Sequence, residues 1–245
     1  MVNMMKYIKQ NINKIVLLII YIVMFYGVAN LSGIIFKDIV VENHKEMLYT
    51  TVLNITIYTI LLISCIILLK NEIKTDFKKL NNTDAMNVFF ICLVGIICVY
   101  FGNILGSIIT SIFGGSGSSQ NQEAIEAILL SKYGIFIIID LAIIGPIVEE
   151  LVFRKSIHGI LRSLKCPTWL MLIISSVLFG LIHVLDGGDF VEVFPYILMG
   201  VTLGGIEIYS KNIYPSIFVH IFINTIATGM IIYMSMLEKA GYPIG

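Results

Sequence analysis

Two adjacent glutamates, Glu149 and Glu150, lie in the middle of an apolar stretch that also contains Arg154. A carboxylate near the centre of a bilayer-spanning helix costs about 2.5–3.5 kcal/mol on insertion-based scales, so the pair requires an explanation. Glu150 and Arg154 are spaced i,i+4, which favours an ion pair on one helix face. Because adjacent helical residues point about 100° apart, Glu149 is predicted to face a cavity instead. Gly145 and Pro146 remove a helical hydrogen bond just upstream, and they predict a bend or break that admits water.

Two histidines lie in apolar segments further along the chain. His183 lies in one such segment. His220 lies in another, one helical turn before Asn224 and on the same helix face. A carboxylate between apolar walls suits a general base, and a histidine beside it helps to hold a water molecule. A second histidine with an asparagine amide offers donors to the oxyanion of a tetrahedral intermediate. These residue types predict amide hydrolysis by activated water, and the sequence contains no GxSxG nucleophile motif.

The composition indicates an integral membrane protein in a lipid bilayer. Hydrophobic residues make up 58% of the 245 residues and charged residues only 13%, against about 45–50% and about 25% in soluble domains. The formal net charge is zero, so there is no basic surface that would indicate nucleic-acid binding. The four cysteines form no CxxC pair and are interpreted as packing residues.

A spanning helix needs about 20 mostly apolar residues, and the sequence predicts an all-α polytopic bundle of about seven spans around an intramembrane active-site cavity. The predicted spans are approximately 15–36, 48–69, 88–113, 133–153 with a polar extension to about 164, 168–185, 194–210 and 213–236. A re-entrant or broken helix at 121–132 would change this number, and the Gly/Ser-rich run 114–122 is predicted to be a flexible outer loop. The whole chain, 1–245, is interpreted as one membrane domain.

The distribution of Lys and Arg among the connections predicts the orientation. All but four of the 16 fall on the side of the amino terminus; the exceptions are Lys37, Lys45, Lys132 and Lys239. The amino terminus is therefore predicted to be cytoplasmic and the carboxyl terminus outside the cell membrane.

The fourth and fifth predicted helices are joined by a short turn near Lys165–Pro167. Glu149 and His183 each lie 16 residues from this turn, or about 24 Å along a continuous helix. The two side chains are therefore predicted to lie at the same depth on neighbouring helices. His220 is predicted to approach them from the inner side, with the substrate entering from the inner leaflet or cytoplasm.

Three motifs on successive apolar helices resemble a known family: Glu149-Glu150-xxx-Arg154, Phe179-xxx-His183 and His220-xxx-Asn224. The family is the CPBP intramembrane endopeptidases, which include the type II CAAX prenyl proteases and the Abi, or bacteriocin-processing, proteins. The resemblance covers roughly 135–230, which would be the catalytic core.

The resemblance implies a role for each motif residue. Glu149 would be the general base, and His183 would share its water molecule. His220 and Asn224 would stabilise the oxyanion. Glu150 and Arg154 would organise the site, with Phe179 in support.

The resemblance leaves the question of a metal open. Members of the family have been described both as metalloproteases and as metal-free glutamate enzymes. His183, His220 and Glu149 are a plausible ligand set for a divalent metal such as zinc. The HExxH signature, however, is absent from the sequence.

Two other functional classes remain open. A non-catalytic scaffold or bacteriocin-immunity protein of the same fold would tolerate substitutions at Glu149 and His183. A transporter would depend on a defined ion or solute. For the endopeptidase, the predicted substrate is a membrane-associated peptide or protein. The Lys-, Ile- and Asn-rich composition suggests a bacterial source. A leader peptide, a bacteriocin or a pheromone precursor is therefore preferred over a CAAX-like carboxyl terminus.

Three further polar residues lie in or beside the predicted spans. His158 is expected at the membrane interface, and Glu207 is expected to snorkel toward water. Asp140, nine residues before Glu149 and so about 180° away on an α-helix, is expected to be a packing or gating group.

Overall fold

The computed structural model describes residues 2–28, 31 and 45–242. Nine helices, which we number α1 to α9, cover most of this part of the chain. They are α1, Val2–Ile22, with a π-helical continuation Val23–Val28; α2, Glu46–Leu68; α3, Lys70–Asn81; α4, Ala85–Ile112; α5, Gln120–Leu129; α6, a continuous helical run over 134–163; α7, Thr168–Leu181; α8, Val193–Ser210, after a 3₁₀ turn at Phe190–Glu192; and α9, Ile213–Lys239. The described residues contain no β-strand, and the predicted all-α membrane fold is confirmed.

Five helical segments are long and apolar enough to cross a bilayer: Tyr7–Val28, Glu46–Leu68, Ala85–Ile112, Phe190–Ser210 and Ile213–Lys239. The other two predicted spans correspond to α6 and α7. The α7 helix has only 14 residues, fewer than the about 20 that a full crossing requires. The α6 helix is divided by two π-helical turns. Residues 29–30 and 32–36 of the first predicted span lie outside the described residues.

Large apolar side chains on the outside of the bundle present a surface for lipid. On α4, Phe101 is 67% exposed and Ile104 is 62% exposed. The opposite face of α4 carries small residues and packs against α8, which also packs against α7. A surface of this kind is compatible with hydrocarbon and incompatible with bulk water.

Glycines allow these helices to approach closely. A Cβ added to Gly106 would lie 2.6 Å from the backbone of Pro195 on α8, and one added to Gly200 would lie 3.0 Å from the Cα of Ser176 on α7. Small residues at such positions bring two backbones into van der Waals contact, which is the main attraction between helices in lipid.

The Gly106→Ala variant is expected to unfold at a lower temperature than the wild type in detergent micelles. The added methyl group meets backbone, which cannot move aside as a flexible side chain can, and overpacking of this kind costs about 1–3 kcal/mol. Gly229→Ala on α9 is the matched control, because nothing lies within 4 Å of its added Cβ. Equal melting temperatures for the two variants would contradict the tight α4–α8 contact.

One end of the bundle gathers the amino terminus and two tight turns. The Asn11 side chain of α1 donates to Ser163 Oγ at 2.9 Å, at the end of α6. Asp76 of α3 pairs with Lys155 of α6 and accepts a 3.0 Å hydrogen bond from the backbone N–H of Ile213. The turns predicted at 165–167 and 211–212 both form here. Most of the Lys and Arg residues therefore lie at this end.

At the opposite end, the 113–119 connection is hydrogen-bonded to the chain that leads into α8. Gly117 N–H donates to Glu192 Oε1 at 3.0 Å, and Gln120 N–H donates to Asp189 Oδ2 at 2.7 Å. The Ser119 and Tyr196 hydroxyls lie 2.8 Å apart. The segment predicted to be a flexible loop is thus anchored at three points, and the helix considered at 121–132 forms as α5.

Candidate active site

A π-helical turn in α6 shapes the backbone beside the glutamates. It covers Asp140–Ile144, and its last hydrogen bond runs from Gly145 N–H to the Asp140 carbonyl. The next carbonyl in this i→i−5 series is Leu141 O, whose donor would be the missing N–H of Pro146. The Asn224 side chain of α9 donates to Leu141 O instead, at 3.2 Å. The break predicted at Gly145–Pro146 is therefore a π-turn, and Asn224 ties it to α9.

Glu150 is fully buried and has a partner on each side. Its Oε2 accepts a short hydrogen bond from the Ser216 hydroxyl and lies 3.6 Å from Arg154 Nε. Its Oε1 lies 3.2 Å from His220 Nδ1. The predicted ion pair with Arg154 is confirmed, and the carboxylate has too many protein partners to serve as a free base.

Arg154 connects three helices around this carboxylate. Its Nη1 donates to Ser175 Oγ of α7 at 3.3 Å, and its Nη2 donates to Gly200 O of α8 at 3.2 Å. The guanidinium carbon lies 4.9 Å from the centroid of the Phe179 ring, within the range of a cation–π contact. Arg154 is 0% exposed, so the burial of this cation depends on these partners and on Glu150.

His220 lies between the two glutamates. In addition to its contact with Glu150, its Nε2 lies 3.6 Å from Glu149 Oε2. Both ring nitrogens therefore face carboxylates. The α6 and α9 motifs were predicted to lie together, and they contact each other through the His220 ring.

Glu149 lines a cavity, as its helical position predicted. It is 7% exposed, and its Oε2 lies 3.6 Å from Nε2 of the His220 ring. The cavity has a volume of about 110 Å³ and is also lined by His183 and Asn224. Glu149 thus has access to water where Glu150 has none.

His183 has a defined orientation in this cavity. Its Nδ1 lies 2.8 Å from the Phe179 carbonyl oxygen. Since a carbonyl can only accept, Nδ1 carries the proton, and in the neutral ring Nε2 can accept a hydrogen bond from water. The ring also stacks on Tyr196, with centroids 4.4 Å apart and planes 18° apart. The prediction that His183 and Glu149 share one site is confirmed at the level of the cavity.

A second cavity of about 120 Å³ adjoins the first and shares His183 and Asn224 with it. Its lining includes His220, Phe179 and Tyr196 but not Glu149. The motif residues therefore stand at the junction of two cavities, one on the Glu149 side and one on the His220 side.

The cavities reach the end of the bundle opposite the amino terminus. Asn121 of α5 lines both, and Asp186, in the connection between α7 and α8, lines the first. The lysine distribution predicts that this end lies outside the cell. Two sequence predictions therefore conflict. If the amino terminus is cytoplasmic, these cavities reach the outer face, whereas the substrate was predicted to enter from the inner leaflet or cytoplasm.

Two residues that contact motif side chains were missed in the sequence. The Ser216 hydroxyl binds Glu150, and its oxygen also lies 3.0 Å from Leu203 O. Its i,i+4 spacing from His220 is a signal that could have found it. Tyr196, which stacks on His183, belongs to another helix, and nothing in the sequence spacing indicates it.

Three expectations about polar residues were wrong. His158 is 0% exposed rather than interfacial, and its Nδ1 lies 3.0 Å from Glu207 Oε2. Glu207 does not snorkel; it is 2% exposed and also lies 3.4 Å from Arg162 Nη2. Asp140 lines the Glu149 cavity instead of facing away. The π-turn explains Asp140, because an i→i−5 helix turns less than 100° per residue and brings the two carboxylates toward one side.

The proposed metal ligands do not assemble into a donor set. Among residues 2–28, 31 and 45–242, no three His, Cys, Asp or Glu side chains are arranged to hold a metal ion. His220 uses both ring nitrogens toward Glu149 and Glu150, and His183 uses Nδ1 toward a carbonyl. Zinc sites need at least three protein ligands around one point, and Glu149, His183 and His220 do not fit that requirement here.

Comparisons with known proteins agree with the motif resemblance. Residues 131–226 match a family model described as type II CAAX prenyl endopeptidase Rce1-like. The chain is 35% identical over 129 residues to a putative membrane peptidase, YdiL, of Bacillus subtilis, covering 53% of this chain and 50% of that protein. It is 31% identical over 136 residues to the membrane-embedded CAAX protease MroQ of Staphylococcus aureus, covering 55% of this chain and 53% of that protein.

An uncharacterized protein of Mycoplasma capricolum is similar over a longer range, with 27% identity over 220 residues, or 83% of this chain and 61% of that protein. The chain thus spans about half to three fifths of the length of these relatives. No solved structure matches. The predicted resemblance is confirmed.

Proposed function

Since residues 131–226 match the type II CAAX endopeptidase family, we propose that this membrane protein is an intramembrane endopeptidase. It hydrolyses a peptide bond of a membrane-associated peptide or protein with water activated by Glu149 and His183. One observation carries the proposal: Glu149 lines a cavity together with His183, while the neighbouring Glu150 is held by Arg154, Ser216 and His220. A carboxylate that is held near water by a fixed scaffold is what a general base requires.

In the proposed reaction, Glu149 takes a proton from water as the water oxygen attacks the scissile carbonyl carbon. His183 orients that water, because its Nε2 is free to accept while Nδ1 donates to the Phe179 carbonyl. The C–N bond of the tetrahedral intermediate then breaks, and the proton on Glu149 passes to the leaving amine. Each proton is therefore accounted for without a protein nucleophile.

His220 and Asn224 are the proposed donors to the oxyanion. Both line the second cavity, and Asn224 also lines the cavity that contains Glu149. The 3.6 Å distance between His220 Nε2 and Glu149 Oε2 is longer than a hydrogen bond, so Nε2, in the form of the ring that carries a proton there, is available to donate to a developing oxyanion. Preorganised donors of this kind act when charge develops, and they stabilise the transition state more than the ground state.

The proposed substrates are a leader peptide, a bacteriocin or a pheromone precursor, with a CAAX-like carboxyl terminus as a further candidate. The Staphylococcus aureus relative is named a CAAX protease, and the relatives come from bacteria. The test compares peptide termini from membranes and medium of cells that express the wild type or Glu149→Gln at matched levels. Termini found only with the wild type identify substrate and cleavage site; identical lists would favour the scaffold or immunity protein.

We further propose that the amino terminus is cytoplasmic and that the substrate enters from the outer face. The lysine-rich end of the bundle carries the amino terminus, and positive charge is retained on the cytoplasmic side. The cavities reach the other end through Asn121 and Asp186. A cysteine introduced at Ser118 is expected to react with a membrane-impermeant maleimide on intact cells, and one introduced at Asn81 is not; the reverse pattern would refute this orientation.

Cleavage is expected to continue at an unchanged rate after treatment with EDTA or 1,10-phenanthroline. No step of the proposed reaction is routed through a metal, because the motif residues do not form a three-ligand set. The assay uses the purified protein in micelles and the substrate found above. Loss of activity that is restored by added Zn²⁺, but not by Mg²⁺, would replace this mechanism with a zinc-dependent one.

A further inference from the structure

The cavity that contains Glu149 is acidic throughout its length. Among the residues that the structure describes, three carboxylates line it, those of Glu149, Asp140 and Asp186, and no lysine or arginine does. Asp186 is exposed and marks the opening, whereas Asp140 and Glu149 are buried. The reaction assigned to Glu149 does not use Asp140 or Asp186, so their presence has no explanation in the chemistry.

One carboxylate oxygen of Asp140 lacks a hydrogen-bond donor among the described residues. Asp140 is 4% exposed, and its Oδ2 forms no hydrogen bond with any of the residues the structure describes. A buried carboxylate oxygen without a donor is costly, and such groups are normally paired. The π-turn that begins at Asp140 directs it toward this cavity. The neighbouring wall consists of Tyr21 and Tyr58 from α1 and α2, which carry no positive charge.

We propose that Asp140, with Asp186 at the opening, binds a cationic group of the substrate chain. This inference rests on the proposed endopeptidase function and adds a substrate class to it. The cation is an ammonium or guanidinium, supplied either by a Lys or Arg side chain or by the free amino terminus of the peptide. A charge-assisted hydrogen bond to such a group would satisfy Asp140 Oδ2 only while substrate is bound.

The helix sets the distance between this cation and the scissile bond. Asp140 and Glu149 are nine residues apart on α6, which corresponds to about 13 Å along the helix axis. An extended peptide advances about 3.3 Å per residue. The cationic group is therefore expected about four residues from the bond that Glu149 helps to cleave, on the side that leads to the cavity opening.

The test uses the full-length protein in micelles and synthetic peptides that span a cleavage site found by the Glu149-dependent comparison of termini. One peptide has the native sequence, one has the Lys or Arg nearest to the predicted position replaced by Gln, and one has an acetylated amino terminus. The wild type is expected to cleave one of the two neutralised peptides about tenfold less efficiently in kcat/KM, mainly through KM. The affected peptide identifies which source supplies the cation.

The Asp140→Asn variant is expected to cleave the native and neutralised peptides with equal kcat/KM, because the amide has lost the charge that distinguishes them. Asp140→Glu is expected to retain part of the preference, and Asp84→Asn, at the far end of the bundle, is the matched control with the full preference. Gel filtration verifies that each variant is folded.

Two results would overturn the inference while leaving the endopeptidase in place. One is Glu149-dependent cleavage by the wild type that ignores both neutralisations. The other is an unchanged preference in Asp140→Asn. If no cleavage depends on Glu149, the proposed function fails, and the inference fails with it.

Discussion

The Glu149→Gln variant is expected to accumulate to the wild-type level and to lose about 10²–10⁴-fold in cleavage rate, the contribution typical of a positioned general base. Glutamine has nearly the same shape as glutamate, so the shape of the cavity beside His183 and the contact with His220 are retained. The amide cannot accept a proton from water. The measurement is the initial rate of peptide hydrolysis by purified protein in proteoliposomes, with protein amount determined by immunoblot.

Glu123→Gln is the matched control for this change. Glu123 is an exposed glutamate on α5. It lies at the end of the bundle that the cavities reach, but it lines neither cavity. It is expected to have the wild-type rate. A Glu149→Gln protein that hydrolyses the peptide at the rate of this control would exclude Glu149 as the base, whatever the substrate is.

The second large effect is expected at Arg154, and it concerns folding. Arg154→Met leaves the Glu150 carboxylate buried at 0% exposure without its cation. Breaking a buried pair by removing one partner costs about 3–5 kcal/mol, a large part of the free energy of unfolding. The variant is expected to be found mostly degraded or aggregated, and the purified remainder is expected to melt well below the wild type in detergent.

The double variant Glu150→Gln/Arg154→Met separates charge from packing. It removes both charges while keeping side chains of similar volume, so much of the lost stability is expected to return. Ser216 and His220 still have an amide oxygen to bind in place of the carboxylate. A double variant as unstable as Arg154→Met alone would show that the helix contacts of Arg154, rather than its pairing with Glu150, account for the loss.

The sequence by itself determined the class of the protein and singled out the polar residues that the structure brings together. Apolar segments of about 20 residues can satisfy their backbone only as helices in lipid, so the all-α membrane fold follows from composition. Ionisable residues are costly within such segments, which is why Glu149, Glu150, His183 and His220 were conspicuous. The Glu150–Arg154 pair followed from i,i+4 spacing alone, because both residues lie within one helix.

Only the tertiary structure decided which residues meet across helices and where the cavity leads. The placement of His220 between two carboxylates depends on the packing of α9 against α6. The burial of His158 against Glu207 depends on the approach of α6 to α8. Neither contact has a signature in local spacing. Asp140 was assigned to the wrong face because a π-turn adds a residue to the helical repeat and rotates everything before it. Sequence periodicity assumes an unbroken α-helix, and this chain departs from that assumption next to its most polar residues.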